Sequence, residues 1–165
     1  MKRLLFIAAL LSFALLTGFA EGTKMTPGQK SEAKRSKKEL KKKDIEREVD
    51  SLVVTGNFRF EPVRLIIRNR GDAGSRNMSR STFFSLHNGW IDSKLQYGTL
   101  TNNFKITGCE KENGTWRIDI EARDRIDEII TYEFVVTAKT GAGALRVISN
   151  RYAGEYIYSG YLVSN

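Results

Sequence analysis

The sequence predicts a mainly β fold: one antiparallel sheet, curled or closed into a small barrel of about eight strands, with one charged N-terminal helix. Three observations predict it. From Ser51 onward apolar and polar residues alternate with a period of two, and Asn-Gly and other turn signals recur between the alternating runs. No helical stretch separates one strand from the next, as a parallel sheet would require.

Each element follows in chain order. Lys2 and Arg3 precede an unbroken apolar run, Leu4 to Leu16, and Gly18 and Ala20 stand three and one residues before Glu21. This is the pattern of a secretory signal peptide over 1–20, cleaved between Ala20 and Glu21. The run is shorter than the roughly 20 residues that span a bilayer, and the only cysteine, Cys109, lies far from the junction, so no lipid anchor is expected. Cleavage would remove two of the charges behind the formal net charge of +8, and no transmembrane segment would remain.

Residues 21–28 are expected to be a disordered linker. From Gln29 to Ser51 the chain is dense in Lys and Glu with no Gly or Pro, which predicts a helix over 29–51. Its apolar stripe is thin, Leu40, Ile45 and Val49, so it should firm up only where it meets the domain. Glu39, Asp44, Glu46 and Glu48 lie among Lys37 to Lys43, which reads as a solvated face rather than a basic arm.

The β domain, 52–165, opens with Phe58 and Phe60 alternating with Arg59 and Glu61, then Leu65 and Ile67 alternating with Arg64 and Arg68. The phase slips at Pro62, which predicts a bulge. Gly71 to Ser79 reads as a polar loop. Strands Thr82–His87 and Trp90–Leu95 flank Asn88-Gly89, and Phe104–Glu110 and Thr115–Ala122 flank Asn113-Gly114. Ile129–Ala138 and Ala144–Ser149 follow, and Glu155–Val163 closes the set. The expected core is Phe58, Phe60, Leu86, Ile91, Phe104, Ile106, Trp116, Ile118, Ile120, Phe134, Val136, Leu145, Val147 and Leu162.

Composition narrows the function classes. Hydrophobic residues at 41% and aromatics at 10% exclude a wholly disordered chain. One Cys and one His exclude an internal disulfide, a thiolate zinc site and a His-based metal cluster, and leave most catalytic triads short of a partner. A non-catalytic protein without a cofactor is the expectation.

Val54-Thr55-Gly56-Asn57-Phe58-Arg59-Phe60-Glu61, the Asn88-Gly89 hairpin, Asn113-Gly114-Thr115-Trp116-Arg117-Ile118 and the ending Tyr156-Ile157-Tyr158-Ser159-Gly160-Tyr161 together resemble exported Bacteroidota proteins of domain-of-unknown-function family 4251. The similarity runs over 48–163. It implies a mostly antiparallel, lipocalin-like barrel of the cell envelope with no assigned activity. Where typical members have Leu-Pro-Tyr-aromatic-Gly and a glycine-rich loop, this chain has Leu95-Gln96-Tyr97-Gly98.

By alternation Cys109 shares a face with Lys105, Thr107 and Lys111, whose ammonium groups would favour the thiolate, but no orienting base is visible. His87 reads as a wet hairpin side chain. Asp119, Glu121, Asp124, Asp127 and Glu128 read as parts of a charge-balanced strand and turn beside Arg123 and Arg125 rather than a calcium or glycosidase site. Six arginines between Arg59 and Arg80 suit anions, yet no aromatics interleave with them, so nucleic acid is not expected. The sequons at Asn77 and Asn113 matter only in a eukaryotic host.

The leading functional expectation is a periplasmic or secreted binding module for a small or extended ligand, apolar or anionic. The other is a structural or protein-interaction module of the periplasm or outer membrane that contacts an envelope protein, and an enzyme is a distant third. Tyr97, Tyr132, Tyr156 and Tyr158 would line a half-wet rim, with Arg68 or Arg70 orienting an anionic group. An empty interior would favour the binder and a packed one the scaffold.

Overall fold

The computed structural model describes residues 27–69, 72–95, 98–149 and 155–165. The cleavage pair Ala20 and Glu21, the linker up to residue 26, and Arg70, Tyr97 and Tyr152 lie outside these. The chain divides into two compact units, Met1–Lys37 and Lys38–Asn165. In the first, residues 27–37 are helical and every side chain described is exposed. The second holds the rest of the helix and all the strands. No helix among the described residues is long and apolar enough to cross a membrane.

Helix α1 runs from Pro27 to Thr55, two residues before and four residues after the expected 29–51. Pro27 is suited to a first helical position, because its preset φ fits and its missing N–H would have no partner there. The far end continues because Val49 and Val53 are buried in the domain core while Leu40 and Ile45 stay exposed. It stops at Gly56, whose φ of +64° is left-handed. There Gly56 N–H donates to Val53 O at 3.1 Å and Asn57 N–H donates to Leu52 O at 3.2 Å, the paired bonds that close a helix end.

Ten strands follow among the described residues: β1 Phe58–Asn69, β2 Asp72–Asn77, β3 Phe84–His87, β4 Trp90–Ser93, β5 Leu100–Thr101, β6 Phe104–Glu112, β7 Thr115–Arg123, β8 Ile129–Thr137, β9 Ala142–Ser149 and β10 Glu155–Val163. They form one antiparallel sheet in the order β5-β4-β3-β1-β10-β9-β8-β7-β6, with β2 paired to β1 beside this path. The edge strands β5 and β6 are consecutive in sequence, so the sheet curls into a nearly closed barrel. The count exceeds eight because two short strands carry no alternation. β2 is the polar Gly/Ser/Asn stretch read as a loop, and β5 is two residues long.

The turns behave as their residues dictate. Asn88 and Gly89 have φ of 49° and 74°, and Asn113 and Gly114 have 50° and 76°. Two successive positive φ values make the turn whose twist suits a hairpin. The slip at Pro62 is a break in the β1–β10 register between Pro62 and Arg64. Gly160 lies opposite Pro62, and a Cβ on it would sit 2.2 Å from Glu61 O. Only glycine lets the strands pass there.

The interior is filled. Phe58 and Phe60 from β1 and Phe84 from β3 meet Tyr132 and Phe134 from β8, three to four strands away around the wall. Phe84 is 4.8 Å from Tyr132 and 5.0 Å from Phe134 between ring centroids, inside the range where rings attract edge to face. All five are at most 1% exposed. Three expected core residues differ. Ile106 is 48% exposed, and Phe104 and Trp116 are half-buried. Among the described residues β6 pairs with β7 and with no other strand, so the inner faces of Phe104 and Ile106 meet one wall rather than two.

Candidate functional site

The tyrosines proposed for a rim sit in the wall of the core. Tyr132 lies beside Val147, and Val147 beside Tyr156, along one row of the sheet; Phe134, Leu145 and Tyr158 form the adjacent row. Tyr132 and Tyr158 are fully buried and Tyr156 is 8% exposed. Their phase puts them inside, and a row of neighbours on each side leaves no half-wet face. Arg68 is exposed on β1, in register with Glu155. Tyr97 and Arg70 fall outside the described residues, so the expected group is not brought together here.

What the interior keeps of polar chemistry is small. Tyr132 OH and Ser93 Oγ face one another, are fully enclosed and complete no hydrogen bond among the described residues. Burial pushes the Tyr132 phenol far above the ordinary tyrosine range, with Ser93 opposing the shift and Tyr158 and Asp124 adding to it. It is a neutral hydroxyl at any physiological pH.

Elsewhere the titratable residues are engaged structurally. The register of β6 breaks between Ile106 and Gly108, and this bulge reverses the expected phase. Cys109 pairs with Ile118 and shares the side of Phe104 and Ile106, not that of Lys105. Partial burial pushes its thiol up rather than down. Lys111, on the same side, is committed to the helix: its Nζ donates to Asp50 at 2.8 Å and to Glu46 at 3.3 Å. Trp116 Nε1–H donates to the same Asp50 Oδ1 at 2.8 Å. This cluster docks α1 on the β6–β7 hairpin.

The carboxylates of the β7–β8 turn are also occupied. Asp124 Oδ1 accepts from Ile126 N–H and Glu128 N–H, both at 2.9 Å, and Asp127 pairs with Arg123 at 2.9 Å. Lys105 pairs with Glu121 at 2.7 Å. No group of three or more His, Cys, Asp or Glu among the described residues is placed to hold a metal. Of the arginines, Arg59 bonds Glu61 at 3.1 Å and lies 3.8 Å over the Phe83 ring, and Arg64 donates to Ser75 at 2.9 Å.

A concave surface among the described residues sets an exposed indole beside a carboxylate that has no partner there. It is a shallow groove of about 500 Å³ on the outer face of the β3–β4 hairpin, lined by Ser85, His87, Asn88, Trp90, Asp92 and Asn165. The register sets Trp90 opposite His87 and Asp92 opposite Ser85. Trp90 is 48% exposed. Asn165 is fixed across the groove, accepting from Ser85 Oγ–H at 2.5 Å and donating to Leu86 O at 3.0 Å. Sequence reasoning passed over this surface. Its signal was the pair Trp90 and Asp92, alternating with the buried Ile91 and Ser93 beside an Asn-Gly turn. A large aromatic on the polar phase of a strand is the anomaly to notice.

No protein-family model matches the sequence, and no curated protein does. Among solved structures, the chain is similar to the crystal structure of a DUF4251 family protein from Bacteroides eggerthii, with a TM-score of 0.60. The fold is that of a DUF4251 family protein. The match covers 73% of this chain and 87% of that one at 8% identity. At that identity the likeness lies in the backbone path, and the barrel expected from the family resemblance is the one present.

Proposed function

We propose that the protein is an exported, non-catalytic recognition module of the bacterial cell envelope, periplasmic or secreted, that meets its partner on the outside of the barrel. The observation that carries this reading is the aromatic plug. Phe58, Phe60, Phe84, Tyr132 and Phe134 take up the space that a lipocalin-like binder would leave for its ligand. The absence of catalysis is inferred from the Cys109 thiol, which burial moves away from the thiolate, and from His87, held by its neighbour Asn88. Export is inferred from residues 1–20.

Two experiments test it. Titration with palmitate, followed by the aromatic proton signals of Phe84, Tyr132 and Phe134, should leave those signals in place; a saturable shift would put the ligand inside. Intact mass of protein from the native host should begin at Glu21, and retention of residues 1–20 would overturn the export reading.

A further inference from the structure

We propose that the groove on the outer face of β3–β4 is a carbohydrate-binding site, in which a neutral sugar ring stacks on the indole of Trp90 and its hydroxyls are held by Asp92, His87 and Asn165. This rests on the outward-recognition reading and names its ligand class.

A single exposed aromatic means little by itself. Here it stands in a set. Trp90 and Asp92 are two residues apart on one strand, so they project from the same face about 7 Å from one another. A ring lying flat on the indole then has its edge hydroxyls over the carboxylate. Asp92 is half-buried, yet makes no hydrogen bond or ion pair among the described residues. The neighbouring cations are turned elsewhere: Arg59 to Glu61 and Phe83, and Lys94 to the Phe83 ring. A carboxylate in a groove with no partner is an acceptor waiting for donors.

The other groups are held in place beforehand. Asn88 Nδ2 lies 2.8 Å from His87 Nε2. An amide nitrogen only donates, so Nε2 accepts and the neutral imidazole carries its proton on Nδ1, which becomes a donor to a ligand. The turn is tied down by Asn88 N–H donating to Asn57 Oδ1 at 3.1 Å. Asn165, fixed through both ends of its amide, keeps one further N–H and one lone pair. Little ordering cost remains for binding.

The chemistry selects among ligands. An anion is repelled by Asp92. A quaternary ammonium is best held by an aromatic cage, and the groove has one indole. Hydroxyl groups each donate and accept, which matches a surface of one pure acceptor, one donor and one amide. The groove also lies within the size range of small-molecule sites. Its shallowness points to a chain segment of one or two sugars rather than an enclosed monosaccharide.

The test is a titration of the full domain, observed by proton–nitrogen correlation spectra, with cellobiose, maltose and N,N′-diacetylchitobiose. Tetramethylammonium and glucuronate serve as comparison probes. At least one neutral disaccharide should shift the Trp90 indole N–H and the His87 and Asp92 amides saturably. Trp90→Ala and Asp92→Asn should each weaken that binding about tenfold, Trp90→Phe should retain part of it, and Arg117→Ala should change nothing. The proposal is overturned if no disaccharide moves these signals, if only tetramethylammonium or glucuronate does, or if Trp90→Ala binds as well as wild type. Such a failure with the palmitate result unchanged removes the sugar alone, whereas a palmitate shift removes the outward reading itself.

Discussion

Phe134 touches Phe58, Phe60 and Phe84 at once, with ring centroids 5.0 to 5.8 Å away. Phe134→Ala should therefore cost about 3–5 kcal/mol in chemical denaturation, since three rings held on two other strands, β1 and β3, cannot all collapse into the void. Tyr132 makes the opposite case. Its hydroxyl is enclosed without a hydrogen bond, so Tyr132→Phe removes a desolvated group and should leave stability unchanged or raise it by about 1 kcal/mol. A loss of that size in the same measurement would mean that the hydroxyl has a partner. Tyrosine on a strand does not by itself say which way its polar tip goes. Tyr132 shares the inward phase of Phe134 on β8, but the reading that tyrosines belong at a wet rim treated the phenol as needing water. It is the crowd of phenylalanines opposite, brought together from distant parts of the chain, that decides otherwise.

At the scale of elements, the helix is attached through the Asp50 cluster and through Val49, Leu52 and Val53, which pack on the core. Burial raises the carboxyl of Asp50, but the Lys111 ammonium and the Trp116 N–H outweigh it and hold its pKa below the ordinary 3.8. The contribution of a carboxylate lowered in this way is present above 3.8 and disappears as pH falls through the lower folded value. Lys111 is raised above 10.5, first by its hydrogen bond to Asp50, so its share is complete below 10.5 and goes as pH rises through the folded value. The near-ultraviolet signal of Trp116 and amide exchange in residues 45–55 should thus report a docked helix at neutral pH that loosens below about pH 3.8 while the sheet remains. Simultaneous loss of sheet and helix would show that α1 is integral to the barrel. The Asp50 and Trp116 partnership spans 66 positions, which is why no local pattern revealed it. The hairpins, by contrast, were legible because Asn-Gly turns act within four residues. So was the bulge at Pro62, where a missing N–H and a change of phase coincide. The bulge in β6 had no such marker, and the faces of Cys109 and Lys111 were misread for that reason.

At the scale of the whole molecule, closure depends on strands passing close to one another. Gly160 lies between Pro62 and Gly143 in register, and a Cβ there would meet backbone on the β1 side. Gly160→Ala should force β1 and β10 apart at the middle of the sheet, lowering the melting temperature by several degrees or more, as a clash of this kind costs about 1–3 kcal/mol. The mainly β class, the curl and most strand positions could be read from period and turns. Two short strands could not, having no period to read. Nor could the state of the interior, which depends on the side chains of opposite walls meeting. That meeting is the centre of the account, because it is what moves recognition from lumen to surface. It is tested most directly by a carbon-edited aromatic NOESY spectrum. Cross-peaks from Phe84 on β3 to both Tyr132 and Phe134 on β8, at centroid separations of 4.8 and 5.0 Å, are the predicted result. Their absence, with Phe84 instead showing contacts only to its own and adjacent strands, would mean an open lumen and would contradict it.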